Sequence, residues 1–442
     1  MKNLVRALMG LLMLLAAIVL SSCTGAPGCP QNGFGSGTPC TPGTPGGFGG
    51  GGGGGGVGGG GSNATPAAFV YAVDQNGGST SSTSGTIDGF DLSTSAVTFK
   101  ALGGYTAPTI PGVDPGVAMI VVNKKYVYAF FELTEQVFGW SIDPSSGNLK
   151  TLAGFPLTLQ LNLPIVTFNQ YNVTTDPGGN FMFISDSGAN SILVYAISSS
   201  TGALTAVPGS PFATPFEPGN VTTDGLGRFL YVCLATDHVG TEFFGYTIGA
   251  NGALTLMPSS PFAANVWQLQ GDASGRYLIG TSGNTKSLTT IDDNHLYVFA
   301  IQQSGATAGA VAPAAGSPVS TQFSPFTIAM QPATSNGEFV YSFSINDTNT
   351  GFNSIEGYQL NTNTGALAAI TGSPFGGGAI QPGKWGQFDQ SGANLLVYST
   401  VNGSGGTLTQ LIPLSVASDG TLTAPIAPVT LATQGYWVVT DP

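Results

Sequence analysis

Charge is what this 442-residue chain has least of: 7% of its residues are Asp, Glu, Lys or Arg, against about 25% in ordinary soluble domains. Ten are basic and 22 acidic, for a formal net charge of -12. No basic stripe is available to neutralise phosphates, which excludes nucleic acid as a partner. Histidines number two and cysteines four, and no CxxC pair occurs, so zinc has no cysteine site. A GxSxG elbow, a Walker sequence and an HExxH motif are missing, which removes the standard signatures of serine hydrolases, nucleotide binders and metalloproteases. No cofactor and no metal is expected. Asp347-Thr348-Asn349-Thr350-Gly351 has the flavour of a calcium loop, but Tyr358 stands where the twelfth-position glutamate belongs. That stretch reads as an exposed turn. With so few charges, the surface must be Ser, Thr, Asn, Gln and Gly.

What the chain does have is a repeat. In Phe181 to Arg228 an aromatic and β-branched run (Phe181 to Ser185) is followed by a polar loop and a second run, Leu193 to Ile197. A Thr201-Gly202 turn then leads into Ala203 to Val207, closed by Gly209-Ser210-Pro211-Phe212. A fourth run, Asn220 to Thr223, ends in the turn Asp224 to Arg228. Runs resembling the first open at Phe69, Tyr126, Phe181, Phe229, Tyr277, Phe339 and Leu395. Four short strands per period of about 50 residues make propeller blades, because one such sheet cannot bury both faces until neighbours pack against it. The expected fold is therefore all-β: a seven-bladed β-propeller with four antiparallel strands per blade.

The ends of the chain agree with a ring. The first repeat begins at its second blade strand, and Tyr436-Trp437-Val438-Val439-Thr440-Asp441 matches the fourth run of the others, Asn172-Val173-Thr174-Thr175-Asp176 above all. The C-terminal strand is expected innermost in the N-terminal blade, leaving no open edge.

Lys2 and Arg6 precede an uncharged run, Ala7 to Leu20, laid out as a secretory signal and too short for a stable membrane span. It ends in Leu20-Ser21-Ser22-Cys23, which resembles the lipobox of bacterial lipoproteins. That resemblance implies lipid on Cys23, a membrane partner through it, and a cell-envelope address. Thr24 in place of Asp leans towards the outer membrane. Residues 24–66 are Gly, Pro, Thr and Ser-rich and cannot form a core; such a tether spans about 35–40 Å on average. The organisation expected is a signal over 1–22, a lipidated flexible tether over 23–66, and a propeller over 67–442, acting as a monomer. Cys29 and Cys40 could pair in an oxidising compartment, and Cys233, within a strand run, reads as a small buried hydrophobe.

The period, the TGALT and GSPF punctuation and the DGxGR turn together resemble the lactonase-type seven-bladed propellers, a group that includes 6-phosphogluconolactonase and muconate-lactonizing enzymes. The resemblance covers residue 69 to the end and implies the fold. Family activity is associated with a Gly-Pro-Arg-His stretch followed a strand later by Asn-Glu-Leu. Here Asp114-Pro115-Gly116-Val117 and Phe131-Glu132-Leu133 stand at the corresponding distance; the arginine and histidine are replaced. Lactone opening needs a base for water and donors for the carbonyl oxygen, and at this locus only Glu132 could be the base.

A second candidate base is the Asp237 and His238 pair, with Glu242 close behind. His295 opens a strand after Asp292-Asp293-Asn294 and reads as surface decoration. Arg228 and Arg276 both occupy the DGxGR turn and read as structural, which leaves no spare arginine for a phosphorylated sugar. Glycine before an aromatic in the second run (Gly89, Gly139, Gly245, Gly357) reads as packing between blades. Two functions follow. The first is a cell-envelope binding or scaffolding module for an envelope protein or glycan, using the channel mouth and the loops Gln75 to Thr86, Gly280 to Asn294 and Ile345 to Ser354. The alternative is an exported hydrolase of unphosphorylated lactones or related esters, with Glu132, or Asp237 and His238, as base.

Overall fold

The aromatic and β-branched runs become strands where the repeat places them, because such side chains fit a pleated surface buried against neighbours. The computed structural model describes residues 68–441 except 75–83, 94–97, 112–116, 133, 160, 162–171, 236–241, 283–293, 333–337, 345–353, 377–384, 390, 404–405, 425–427 and 432–437. Seven antiparallel sheets follow in sequence. We number them by their second strands: Ala68–Asp74 (blade 1), Tyr126–Phe131 (2), Phe181–Asp186 (3), Phe229–Leu234 (4), Tyr277–Thr281 (5), Glu338–Ser344 (6) and Asn394–Gly403 (7). The inner strands, in the same order, are Val438–Asp441, Val117–Val122, Val173–Thr175, Pro218–Thr223, Gln268–Gly271, Pro325–Met330 and Trp385–Phe388.

The C-terminal strand closes the ring as expected. Val438–Asp441 pairs antiparallel with the first strand of the chain, Phe69 opposite Asp441 and Ala72 opposite Val438. The outer strand differs from expectation: in blade 3 it is two short pieces, Leu204–Ala206 and Phe212–Ala213, both paired with Ser191–Ile197. The Gly-Ser-Pro-Phe turn divides them. Its serine hydroxyl accepts the backbone N–H left without a strand partner, Val194 to Ser210 at 2.9 Å, Gly245 to Ser260 at 2.9 Å, Val298 to Ser317 at 2.9 Å and Gly357 to Ser373 at 3.0 Å. Each hydroxyl thus satisfies a donor that the divided strand would leave open.

The core is distributed over the seams. Among the described residues it forms separate apolar clusters, each drawn from two adjacent blades; Phe183, Ile192 and Val194 of blade 3 meet Val221, Leu230 and Val232 of blade 4, for example. A tyrosine recurs as a latch across these seams. Tyr71, Tyr128, Tyr231 and Tyr341 donate to the carbonyls of Gly147, Gly202, Gly309 and Gly420 in the following blade's turn, at 2.8, 2.6, 2.9 and 2.6 Å. The turn glycine is required at Gly202, where φ is +71° and an added Cβ would lie 2.8 Å from Tyr126.

The glycines before aromatics are a packing device, but within each blade rather than between blades. An added Cβ on Gly139 would lie 3.0 Å from the Phe155 ring, and on Gly89, Gly245 and Gly357 it would meet Tyr105, Phe262 and Phe375 of the same blade. The aromatic that closes the outer strand folds back over this glycine, which the sequence alone assigned to the wrong neighbour.

Candidate functional site

Strand direction gives the ring two unlike faces. Inner strands run from one face to the other and return through a tight turn, so one face carries the Asp-x-x-Gly turns. The opposite face carries the loops between second and third strands and the crossovers to the next blade.

On the turn face the aspartates of blades 3, 4 and 5 accept the backbone N–H groups four and five residues on. Asp176 takes Asn180 and Phe181 (2.7 and 2.6 Å), Asp224 takes Arg228 and Phe229 (2.6 and 2.9 Å), and Asp272 takes Arg276 and Tyr277 (2.8 and 2.6 Å). Arg228 also pairs with Asp224 at 2.8 Å and reaches the Gly275 carbonyl of blade 5 at 2.9 Å. Its role is structural, as its place in the motif suggested; Arg276 lies against the Tyr277 ring at 5.9 Å. Lys124 and Lys125 stand in the turn between inner and second strands of blade 2, and Lys100 and Lys150 pair at the turn-face half of their blades. The loop face therefore holds no lysine or arginine among the described residues. It does hold Asp74, Glu132, Asp186, Glu217, Glu242 and Glu356.

A cavity of about 240 Å³ occupies the channel between inner strands, lined by Thr174, Asn220, Thr222, Gln268, Gln270 and Gln387 with apolar residues such as Met119, Val221 and Ile328. Carboxamides and hydroxyls dominate its polar lining, and no ionisable side chain belongs to it. Two of these carboxamides, Asn220 before Asp224 and Gln268 before Asp272, share with Asn172 before Asp176, which is outside the cavity lining, a position four residues before the turn aspartate. All are buried, and each bridges to the inner strand of the next blade. Asn172 Nδ2 donates to the Gly219 carbonyl (3.3 Å), Asn220 Oδ1 accepts from the Leu269 N–H (2.9 Å), and Gln268 Oε1 accepts from the Ile328 N–H (3.2 Å).

The sequence reading missed this belt, although its spacing from the turn aspartate was there to be seen. Bulges at Pro218/Val221 and Pro325/Thr327 re-aim the backbone beside it. The Gly219 carbonyl takes Ser185 as well as Asn172, and the Phe326 carbonyl takes Trp267 Nε1 (2.7 Å) and Thr281 (3.0 Å).

The residues singled out from sequence are scattered. Glu132 follows the second strand of blade 2, buried at 6% exposure. Val117 pairs with Phe131, so the two stretches of the family motif are brought side by side; Asp114, Pro115, Gly116 and Leu133 lie outside the described residues. Glu132 is not part of the channel lining. Asp237 and His238 lie outside the described residues, as do Cys23, Cys29, Cys40, Trp437, most of the three long loops and the calcium-like stretch at 347–351. Glu242 opens a third strand and pairs with Ala263 of the outer one, and His295 likewise pairs with Ser320, so both stand in the outer half of their blades. Cys233 is fully buried beside Asn220, and burial pushes its thiol up, away from the thiolate a nucleophile needs. Among the described residues no group of three or more His, Cys, Asp or Glu is placed to hold a metal ion.

One carboxyl departs from the turn pattern. Glu338 of blade 6 occupies the place that Arg228 and Arg276 hold in their turns, is 2% exposed, and accepts from the Ala273 N–H of blade 5 at 3.3 Å. Burial first, then the nearby Asp272, pushes its pKa up to about 8, with the Ala273 hydrogen bond pulling the other way.

Residues 86–243 match the family model described as lactonase, seven-bladed β-propeller. Over 129 residues the chain is 28% identical to a 6-phosphogluconolactonase of Pectobacterium carotovorum subsp. carotovorum strain PC1, a match spanning 28% of this chain and 36% of that one. The chain thus covers little more than a third of that relative's length. A Bacteroides fragilis protein provisionally assigned as a 6-phosphogluconolactonase superposes with a TM-score of 0.59 at 14% identity, covering 86% of this chain and 99% of that one. The periplasmic gluconolactonase of Pseudomonas aeruginosa superposes with a TM-score of 0.56 at 12% identity, covering 84% and 98%. At these identities the structural likeness speaks for the fold.

Proposed function

We propose, from the premise that this chain is a lactonase-type seven-bladed β-propeller, that it is an envelope-anchored binding module whose loop-face channel mouth takes a neutral, hydroxyl-rich ligand such as a sugar, a glycan end or an unphosphorylated sugar lactone. The observation that carries this is the channel lining: Asn220, Gln268, Gln270, Gln387, Thr174 and Thr222, with no ionisable partner among them. Amides and hydroxyls orient a polyol by paired donors and acceptors. A phosphorylated ligand would meet an acidic face without a described cation, which disfavours it. The signal-like N-terminus and Cys23 support an address at the cell envelope on the outer membrane. Membrane fractionation tests this: Cys23→Ala is expected to move the protein from the membrane to the soluble fraction.

A second reading, hydrolysis of an unphosphorylated lactone, is favoured by the family match over residues 86–243 and by the juxtaposition of Val117 with Phe131 beside Glu132. A panel of unphosphorylated lactones assayed with the pure protein separates the two. Binding without turnover, unchanged in Glu132→Gln, supports the module; turnover abolished by Glu132→Gln replaces it with the hydrolase.

A further inference from the structure

We infer that the channel reads a sugar ring with one hydroxylated edge and one apolar edge, a neutral 6-deoxyhexose, through the residues two places before each turn rather than through the carboxamide belt. This rests on the channel-mouth function above and names the class of sugar that the channel admits.

The level is fixed by register. Ile120, Thr174, Thr222, Gln270, Ala329 and Gln387 stand opposite Tyr128, Phe183, Tyr231, Ile279, Tyr341 and Leu396 of their second strands, which makes them one place of the repeat in successive blades. Val439 holds that place in blade 1, opposite Tyr71. Two residues along a strand span about 7 Å, so this level lies that far from the belt of Asn172, Asn220 and Gln268, towards the turn face. Ile120, Thr174, Thr222, Gln270 and Gln387 all line the cavity of about 240 Å³.

Hydrogen bonds divide the two levels. In the belt, the oxygens of Asn220 and Gln268 are taken by backbone N–H groups of the next blade, and both residues are buried; they hold the inner strands together. Two places on, the one side-chain hydrogen bond among the described residues runs from the Thr222 hydroxyl to the Thr223 carbonyl at 3.4 Å. Thr174 and Gln270 are half-exposed and Gln387 is exposed, with their donors and acceptors open to the channel they line.

The chemistry around this level is one-sided. Thr174, Thr222 and Gln270 come from three consecutive blades, and their hydroxyls and amide both donate and accept, as adjacent hydroxyls of a sugar do. In a ring of seven sheets, the side across from blade 5 falls between blades 1 and 2, where Val439 and Ile120 stand. Ile120 packs half-buried against the apolar core of its seam. A hydroxymethyl group set against it gives up hydration without gaining a partner, whereas a methyl group gains from the contact. A wholly apolar ligand leaves the amides unpaired, and an anion finds no cation in the lining. The volume falls below that of drug-sized pockets, about 300–1,000 Å³, and suits a single ring.

Calorimetric titration of the full chain in detergent with two matched pairs, 6-deoxy-D-glucose against D-glucose and L-rhamnose against L-mannose, isolates the one oxygen in question, with D-glucono-1,5-lactone as reference. The deoxy member of a pair that binds is expected to be about fivefold tighter than its partner. Ile120→Gln should remove that preference, and Gln270→Leu should weaken both members about tenfold. If the hydroxylated members bind as tightly as their deoxy partners, or if all four sugars fail while the lactone binds, the inference falls and the channel-mouth function stands. Unchanged affinity in a folded Gln270→Leu protein overturns the assignment of the polar side. If neither the sugars nor the lactone binds, both readings fall. The comparison of pairs uses the unaltered protein, so it decides even where a variant does not fold.

Discussion

The seam between blades 3 and 4 and the seam between blades 5 and 6 are built from equivalent residues and finished differently. At the loop face of the first, Asn172 donates to Ser185 (2.9 Å) and to the Gly219 carbonyl, and Ser185 donates to the same carbonyl. At the second, the longer Gln268 uses its oxygen on Ile328 and leaves its nitrogen open. On the turn face, Asp176 is closed by Asn180 at 2.9 Å, whereas Glu338 is pressed towards Asp272. In the first seam Asn172 and Asp176 are both held by partners; in the second Gln268 leaves its nitrogen open at the loop end and two carboxyls stand together at the turn end. Departures from local consistency within a repeat are where function is expected, since stability alone would have removed them.

The largest test of that contrast is pH. Glu338 is raised to about 8 in the folded protein from an ordinary carboxylate value, so the native state holds a proton that the unfolded chain releases. Its contribution is complete below about pH 4 and is lost as pH rises towards 8, at about 1.4 kcal/mol per pH unit and a few kcal/mol in all. Urea midpoints measured from pH 5 to 9 should fall with pH in the unaltered protein, and Glu338→Gln should flatten the fall. An unchanged slope would remove the turn-face half of the contrast.

Next comes Asn172→Leu, which deprives the Gly219 carbonyl and Ser185 of a buried donor and should cost about 2–3 kcal/mol. Gln268→Leu removes one bond but also an unsatisfied amide, and should cost less than about 1 kcal/mol by the same logic. Equal costs in denaturant unfolding would mean that the two seams are equally closed. The smallest effect concerns the latch, which neither seam has: Phe183 and Ile279 stand where Tyr128 and Tyr231 do. Phe183→Tyr should gain about 0.5 kcal/mol by reaching the turn at Gly252, visible as a modest rise in urea midpoint.

Most of the fold was legible because a repeat states its own boundaries. The seven second strands at Phe69, Tyr126, Phe181, Phe229, Tyr277, Phe339 and Leu395, and closure through Val438–Asp441, follow from recurring apolar runs and turn residues. The direction in which Phe155 folds over Gly139 did not follow, because a periodic pattern says that an aromatic is buried without saying against which neighbour. The carboxamide belt was hidden for another reason. Asn172, Asn220 and Gln268 look like polar filler at a strand end, and their bridging depends on how far apart adjacent inner strands lie. Glu132 stood out in the sequence as a candidate base; its burial and its place outside the channel lining are properties of packing that the sequence does not state.

The central claim is that the loop face selects a neutral, hydroxyl-rich ligand. Calorimetric titration of the full chain with D-glucono-1,5-lactone and with its 6-phosphorylated counterpart, at matched ionic strength, tests it most directly. The account predicts saturable binding of the neutral compound and none, or at least about tenfold weaker binding, of the phosphorylated one. Tighter binding of the phosphorylated compound would contradict it.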